Sequence, residues 1–389
     1  MTSPKGSPAA PSERAVALDA LRGIALFGVL LVNLVTSFRV SLFEQFLPAA
    51  GLPGSATDRV VASIVTIGLE FKAFILFSLL FGVGLAAQRE RTRARGVPFA
   101  PYIARRLGML LVIGLGHLFL IWNGDILTLY AVVGVLAAPL LGLPLRVLLP
   151  IVLGLFVLSV LPLPYPRPFP SLEAMQEHVD EARRVYGAGS FGQVLAFRVR
   201  EAVPISALLL WSAPRTLGLF LLGACAWRAG IFREGQRRAL LVALASIGIG
   251  AGAAATWAAS SGADLGRWGD AARGWGPVLL ALGYGATILV AFAQPRIARG
   301  LSLFAPLGRM ALTSYLTQSI VLSAIFYGWG LGLFGRCSKG PAATIGVTLF
   351  VVQAVLSALW LRRYRFGPLE WLWRSFTYGA WQPIRRVES

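Results

Sequence analysis

Apolar segments of about twenty residues recur along this 389-residue chain, and each is long enough to cross the hydrocarbon of a bilayer as a helix. Ten such segments fall near 18–37, 60–86, 107–123, 125–143, 146–163, 204–228, 239–259, 276–294, 306–329 and 342–361. The fourth and fifth are joined only by LGLPLR, and Pro214–Arg215 suggests a kinked or divided sixth. With 56% hydrophobic and 14% charged residues and a mean hydropathy of +0.70, little is left over to build a soluble domain. The expected class is an all-α integral membrane protein with about ten transmembrane helices.

The formal charge of +19 would suggest nucleic acid in a soluble chain. Here the cations sit in short loops. Taking 1–17, 87–106, 143–146, 228–238, 295–300 and 362–389 as one side, that side holds 21 Lys and Arg, the opposite loops 11, and the spans four. The positive-inside rule then puts both termini in the cytoplasm and makes anionic lipid the expected partner. The expected organisation is a flexible cytoplasmic tail over 1–17, one polytopic domain over 18–361, and a membrane-surface helix with a basic tail over 362–389. Cys225 and Cys337 have no metal or redox spacing, so neither a disulfide nor a zinc site is expected.

The longest external connection, about 163–203, starts Pro-rich and then places Leu172, Met175, Val179, Ala182 and Tyr186 on one helical stripe behind Ser171, a natural N-cap. An amphipathic helix on the outer surface is expected there. At the other end, Gly367 and Pro368 can start a helix carrying Glu370 and Arg374 at i, i+4 and three tryptophans suited to the interface.

Ionisable groups inside spans cost about 2.5–3.5 kcal/mol each on insertion scales, so they are paired or line a cavity. Asp19, Arg22 and Asn33 share one helical face; Asp19 and Arg22 serve either as an interfacial pair or near a site. Glu70 and Lys72, two residues apart, need different partners, while Phe71, Phe74, Phe77 and Phe81 are packing residues and Gly82 and Gly84 allow close helix approach. His117 is the only histidine within a span. Gly114 and Gly116 beside it remove bulk, and Asp125, Asn123 or Glu70 is placed to orient the ring. The ninth span carries Arg309, Thr313 and Thr317 on one stripe with Ser314 and Gln318 on the next, either lining a cavity or acting as interhelical glue.

The runs LDALRGIALFGVLLVN, EFKAFILFSLLFGVG, GLGHLFLIWNGDILTLYAVVG, LGRMALTSYLTQS and FGPLEWLWRSFTYGAWQPIRR, in this order, resemble the YeiB-like family of bacterial inner-membrane proteins. That family is similar to a wider group of membrane acyltransferases that includes the heparan-α-glucosaminide N-acetyltransferases. The resemblance implies a bacterial cytoplasmic-membrane acyltransferase using a cytoplasmic acyl-CoA as co-substrate, with no covalently bound cofactor, a small or lipid-linked acceptor, and His117 as the counterpart of the group's intramembrane histidine.

A neutral imidazole can act as base or nucleophile in acyl transfer. On this reading Asp125 or Glu70 fixes its tautomer, and Lys72, Asn123 or a backbone N–H meets the developing oxyanion. Donor phosphates are assigned to cytoplasmic arginines near Arg105, Arg106 and the C-terminal segment, with Arg309, Gln318, Arg22 and Asp19 as further binding candidates. His117 nevertheless falls nearer the outer face, so either the donor's arm reaches through a tunnel or another molecule carries the acyl group. The alternatives are a small-molecule transporter using the same charges, or a lipid-organising or partner-binding protein without turnover.

Overall fold

Apolar length decides most of the architecture, and polar interruptions decide where the long helices break. The computed structural model describes residues 13–48, 54–161, 166–232, 237–260 and 266–386. Among these residues the chain is helical, without a strand, and has one antiparallel bridge between Tyr364 and Arg385. The tail expected over 1–17 lies outside the described residues as far as position 12; α1 (Glu13–Asn33) takes the rest. Part of the Pro-rich stretch after the fifth span, residues 162–165, also lies outside them.

Among the described residues, seven helical segments are long and apolar enough to cross a membrane: Ala15–Phe38, Ala56–Ala94, Phe99–Ile121, Phe191–Arg228, Arg238–Ala259, Ala271–Ala291 and Lys339–Arg363. Three shorter apolar helices, α5 (Leu127–Leu140), α6 (Leu145–Leu158) and α13 (Ala311–Phe326), occupy the fourth, fifth and ninth expected spans. Exposed Val112, Val135, Leu153, Ile247, Val355 and Leu356 give these helices an apolar outer surface suited to lipid.

The breaks differ from expectation in three places. The second span is interrupted between α2 (Ala56–Ser63) with its following π-helical turn Ile64–Leu69 and α3 (Lys72–Ala94). Phe71 there has φ 62°, unusual for a residue with a β-carbon. The ninth span is cut at Met310, between α12 (Ala305–Arg309) and α13. By contrast, the expected kink at Pro214 does not divide the sixth, which runs unbroken as α8 (Phe191–Arg228) through Pro204 and Pro214. At about 1.5 Å per residue, α8 is roughly 57 Å long against about 30 Å of hydrocarbon, so it projects beyond the bilayer.

Glycines set the closest crossings. A β-carbon at Gly82 of α3 would collide with the Phe220 carbonyl of α8, and one at Gly223 would collide with the Leu79 carbonyl. Gly84 lacks such a neighbour: its open side faces the Arg22 guanidinium, so it lines a cavity where packing was expected. The core beside this crossing is built on Tyr130, whose hydroxyl shares a 2.6 Å hydrogen bond with Ser78, ringed by Phe74, Phe77, Phe81 and Phe220. Phe71 is the exception among the expected packing rings and is about half exposed at the break.

The amphipathic helix is present as α7 (Leu172–Ala188), capped by Ser171 accepting from the Ala174 N–H at 3.1 Å. It buries Val179, Ala182 and Tyr186 against the protein. At the other end, α15 (Pro368–Tyr378) folds under the bundle, closed by Gly379 in the left-handed conformation. Glu370 does not pair with Arg374. Its carboxylate accepts from Leu312 N at 2.7 Å, Thr313 N at 3.0 Å and Thr313 Oγ1 at 2.6 Å, supplying the start of α13 with the acceptors its first N–H groups lack. Burial pushes its carboxyl above the usual range, opposed by these hydrogen bonds. Replacing Glu370 by Ala strands two backbone donors and is expected to cost about 1–3 kcal/mol. Earlier protease cleavage of the C-terminal segment and a lower unfolding temperature would report it.

Candidate active site

The local fold presents His117 where the α-helical ladder loosens. Helix α4 (Phe99–Gly116) passes into a π-helical turn, His117–Ile121, and the chain then extends through Trp122. Such turns gather at functional positions because they re-aim side chains within a helix. Gly114 is required: a β-carbon there would strike the backbone and hydroxyl of Thr128 on α5. Gly116 faces open space, so it makes no room for the imidazole.

His117 is held from both sides. Its Nδ1 lies 2.8 Å from Asp125 Oδ1 and its Nε2 lies 2.9 Å from Ser319 Oγ. The three residues are 1–2% exposed. Asp125 also accepts from Leu127 N at 3.1 Å and Thr128 N at 2.7 Å, capping α5. A carboxylate with only donors around it assigns the proton to Nδ1, leaving the Nε2 lone pair for the Ser319 hydroxyl, for which it is the nearer acceptor, the other being the Tyr315 carbonyl at 3.2 Å. The chain Asp125–His117–Ser319 thus has the order and spacing in which an imidazole activates a serine. Ser319 was not among the sequence candidates. It lies one turn beyond Tyr315 on α13, whose register the sequence left open between cavity wall and glue.

Around this centre the sequence candidates separate. Glu70 sits at the break before α3, where Lys72 is its charged neighbour, and it is not joined to His117. The positive φ at Phe71 turns the chain there, and α3 starts anew. Lys72 reaches back to the Thr66 carbonyl at 3.3 Å. Gln318 binds Gln353 Oε1 on α14 (Lys339–Arg363) at 2.8 Å, which makes it interhelical glue. Asn123 donates to Glu201 Oε2 at 2.6 Å. No bond joins Lys72 to His117, and Asn123 gives one of its two amide N–H groups to Glu201, whereas the buried Trp122 indole N–H and Thr128 hydroxyl have no hydrogen-bond partner.

Asp19, Arg22, Arg106 and Arg309 meet at a different place, a cavity of about 640 Å³ at the end of the bundle where α1 begins and α15 docks. Arg91, Arg95 and Arg374 also line it, against the acids Asp19 and Glu370. Asp19 is already paired with Arg22 at 2.9 Å, and Glu370 is spent on α13, leaving a surplus of positive charge. Arg106 lies 3.6 Å over the Trp373 ring, whose indole N–H donates to the Arg106 carbonyl. Along the cavity wall, Ile126, Leu127, Tyr130 and Tyr315 bring it close to the histidine. Tyr315 lies between, its ring centroid 5.0 Å from that of His117 and its hydroxyl donating to the Gly124 carbonyl at 3.2 Å.

On the opposite side of His117 a second polar group is buried. Glu201 accepts from Asn123, from Tyr186 OH at 2.5 Å and from His178 Nε2 at 3.0 Å. Burial and the Glu201 carboxylate push the Tyr186 phenol well above its usual value, keeping it a donor. His178, Tyr186 and Glu201 fall in the stretch expected as an external loop, 163–203, and Asn123 at the outer end of the third span. The signal passed over was Ser190-x-x-Gln193, a capping box that starts α8 fourteen residues before the expected span.

Comparison with known proteins was made against this geometry. Residues 226–380 match the family described as "Protein of unknown function (DUF418)". A Bacillus subtilis protein described as "Uncharacterized protein YxaH" is 33% identical, covering 97% of this chain and 98% of its own. The Escherichia coli protein described as "Uncharacterized protein YeiB" is 28% identical over 95% and 98%. A protein of Bacillus acidopullulyticus described as "Uncharacterized 39.9 kDa protein in amylase 3'region" is 27% identical over 97% of each.

Proposed function

The chain belongs to the YeiB-like family, DUF418, and for it we propose a membrane acyltransferase that moves an acyl group from a cytoplasmic acyl-CoA-type donor to a small hydroxyl or amine acceptor. The observation that carries this reading is the imidazole of His117 fixed between Asp125 and Ser319. Because Nε2 already holds a serine hydroxyl, the geometry favours His117 as base over His117 as nucleophile. Ser319 Oγ attacks the thioester carbonyl as its proton passes to Nε2, and the imidazolium returns that proton to the departing thiolate. The acceptor's hydroxyl or amine then attacks the acyl-serine, again giving its proton to Nε2, which restores the Ser319 hydroxyl. Asp125 holds the ring and supports its transient charge. The unpartnered Trp122 and Thr128 donors are available to the developing oxyanion.

The arginine-lined cavity supports donor binding at the terminal end, where guanidinium groups suit phosphates. Its extension to Tyr315 favours an arm that reaches inward over a separate acyl carrier; Tyr315 rotates to admit it. In this arrangement all ten apolar segments cross, both termini face the cytoplasm and the protein resides in the bacterial inner membrane. The test is purified full-length protein in lipid nanodiscs with acetyl-CoA, following free thiol. Saturable thiol release that disappears in Ser319→Ala supports the reading. Absence of release with acetyl-, butyryl- and palmitoyl-CoA, or solute movement in vesicles without donor consumption, overturns it.

A further inference from the structure

Among the described residues, Arg198 is a buried cation whose side-chain nitrogens are all enclosed. It is 1% exposed, and its Nε, Nη1 and Nη2 are all enclosed without a hydrogen-bond partner. Enclosing a cation without a partner is strongly unfavourable, and interiors normally avoid it by pairing. Glu201 is only three residues away on α8 but accepts from Asn123, Tyr186 and His178 and forms no ion pair with Arg198. What remains is Tyr327, whose ring lies 5.2 Å from the guanidinium and whose hydroxyl is the one oxygen near enough to feel Arg198 as a donor. One phenol oxygen cannot receive the five N–H donors of a planar fork, and those left over are held in a geometry that matches a carboxylate or phosphate.

The surroundings suit a ligand site over a packing accident. Glu201, Tyr186 and Asn123 form a rigid hydrogen-bonded wall beside the arginine, and Asn123 belongs to the same short segment as Asp125, which orients His117. The cover is α7, a polar helix whose buried stripe is only Val179, Ala182 and Tyr186, and His178 on it is part-exposed. Arg198 lies in the first two turns of α8, at the end of the bundle opposite the arginine-lined cavity.

We propose that Arg198 anchors an anion-binding site under α7 that takes the carboxylate or phosphate group of the acceptor. The acceptor role rests on the acyltransferase reading; the binding itself does not. An anion seated on Arg198 directs the remainder of the molecule past Asn123 towards His117, on the side away from the donor cavity. Acceptors would therefore be anionic sugars, phosphorylated sugars or lipid-linked phosphates in preference to neutral alcohols.

The experiment follows thermal unfolding of the full chain in maltoside micelles, with no acyl donor present. Sodium phosphate is titrated against sodium chloride at equal ionic strength, and phosphatidylglycerol is titrated in a second arm. The expected result is a saturable rise of about 2–4 °C, absent in Arg198→Gln, weakened in Arg198→Lys, and retained in Arg200→Gln, a neighbour whose side chain is exposed and paired with Glu181. A response to phosphate assigns a soluble anion and a response to phosphatidylglycerol alone assigns a headgroup; both support the site. Without ligand, Arg198→Gln should unfold at the same or a higher temperature. No response in either arm, an equal response in Arg198→Gln, or a lower unfolding temperature for the unliganded variant overturns it. Thiol release from acetyl-CoA remains a separate readout, so loss of the anion site and loss of the transferase reading are distinguishable.

Discussion

Ser319→Ala and His117→Ala are each expected to lower acyl-CoA turnover by about 10²–10⁴-fold, and the double variant to lose little more than either single one. The expectation follows from the way the three groups work as a unit. His117 without Ser319 has a base and no nucleophile, and Ser319 without His117 is an ordinary alcohol. The serine variant discriminates most, because a histidine that carried the acyl group itself would keep turning over without Ser319. Single-turnover thiol release measures the difference, and trapping of acyl-protein adds a mass shift on the α13 peptide that Ser319→Ala removes. Asp125→Asn is expected to fall in the same range, since an amide at that position can hold the wrong tautomer.

A second large effect is expected far from the chemistry. Gly82→Ala and Gly223→Ala each drive a methyl group into a carbonyl of the facing helix, at the mutual crossing of α3 and α8. A backbone cannot step aside as a side chain can, so α3 and α8 must separate, with losses of at least about 1–3 kcal/mol. Lower accumulation in membranes and a drop in unfolding temperature would show it. Gly108→Ala, where an added β-carbon meets nothing within 4 Å, should be neutral or gain about 0.5–1 kcal/mol from helix propensity. Equal behaviour at the three positions would contradict the packing described for this crossing.

The contrast between those glycines shows where reading the sequence worked. Apolar length located the seven segments long enough to cross a membrane and the three shorter apolar helices, because hydrocarbon leaves the backbone no other way to satisfy itself. The stripe on α7 and its Ser171 cap were equally legible, as were Asp125 beside His117 and the Asp19–Arg22 pair, which are close in sequence. Ser319 was not, since it is 202 residues from His117 and a serine on a polar α13 looks the same whether it faces a histidine or a neighbouring helix. Glu70 was misplaced because a regular helix was assumed through Phe71, where the chain turns. Arg198 and Glu201 were read as loop residues because hydropathy falls at the bilayer edge, whereas α8 continues beyond it. Breaks and extensions of this kind depend on tertiary contacts that periodicity does not encode.

Asp125 carries a consequence for anyone who wishes to capture this protein with its ligands in place. Oδ1 steadies His117 and also accepts from Leu127 N, while Oδ2 accepts from Thr128 N, so assembly and reactivity share one carboxylate and cannot be altered separately there. Dead variants intended for trapping belong at Ser319, whose hydroxyl can be deleted without unfastening a helix.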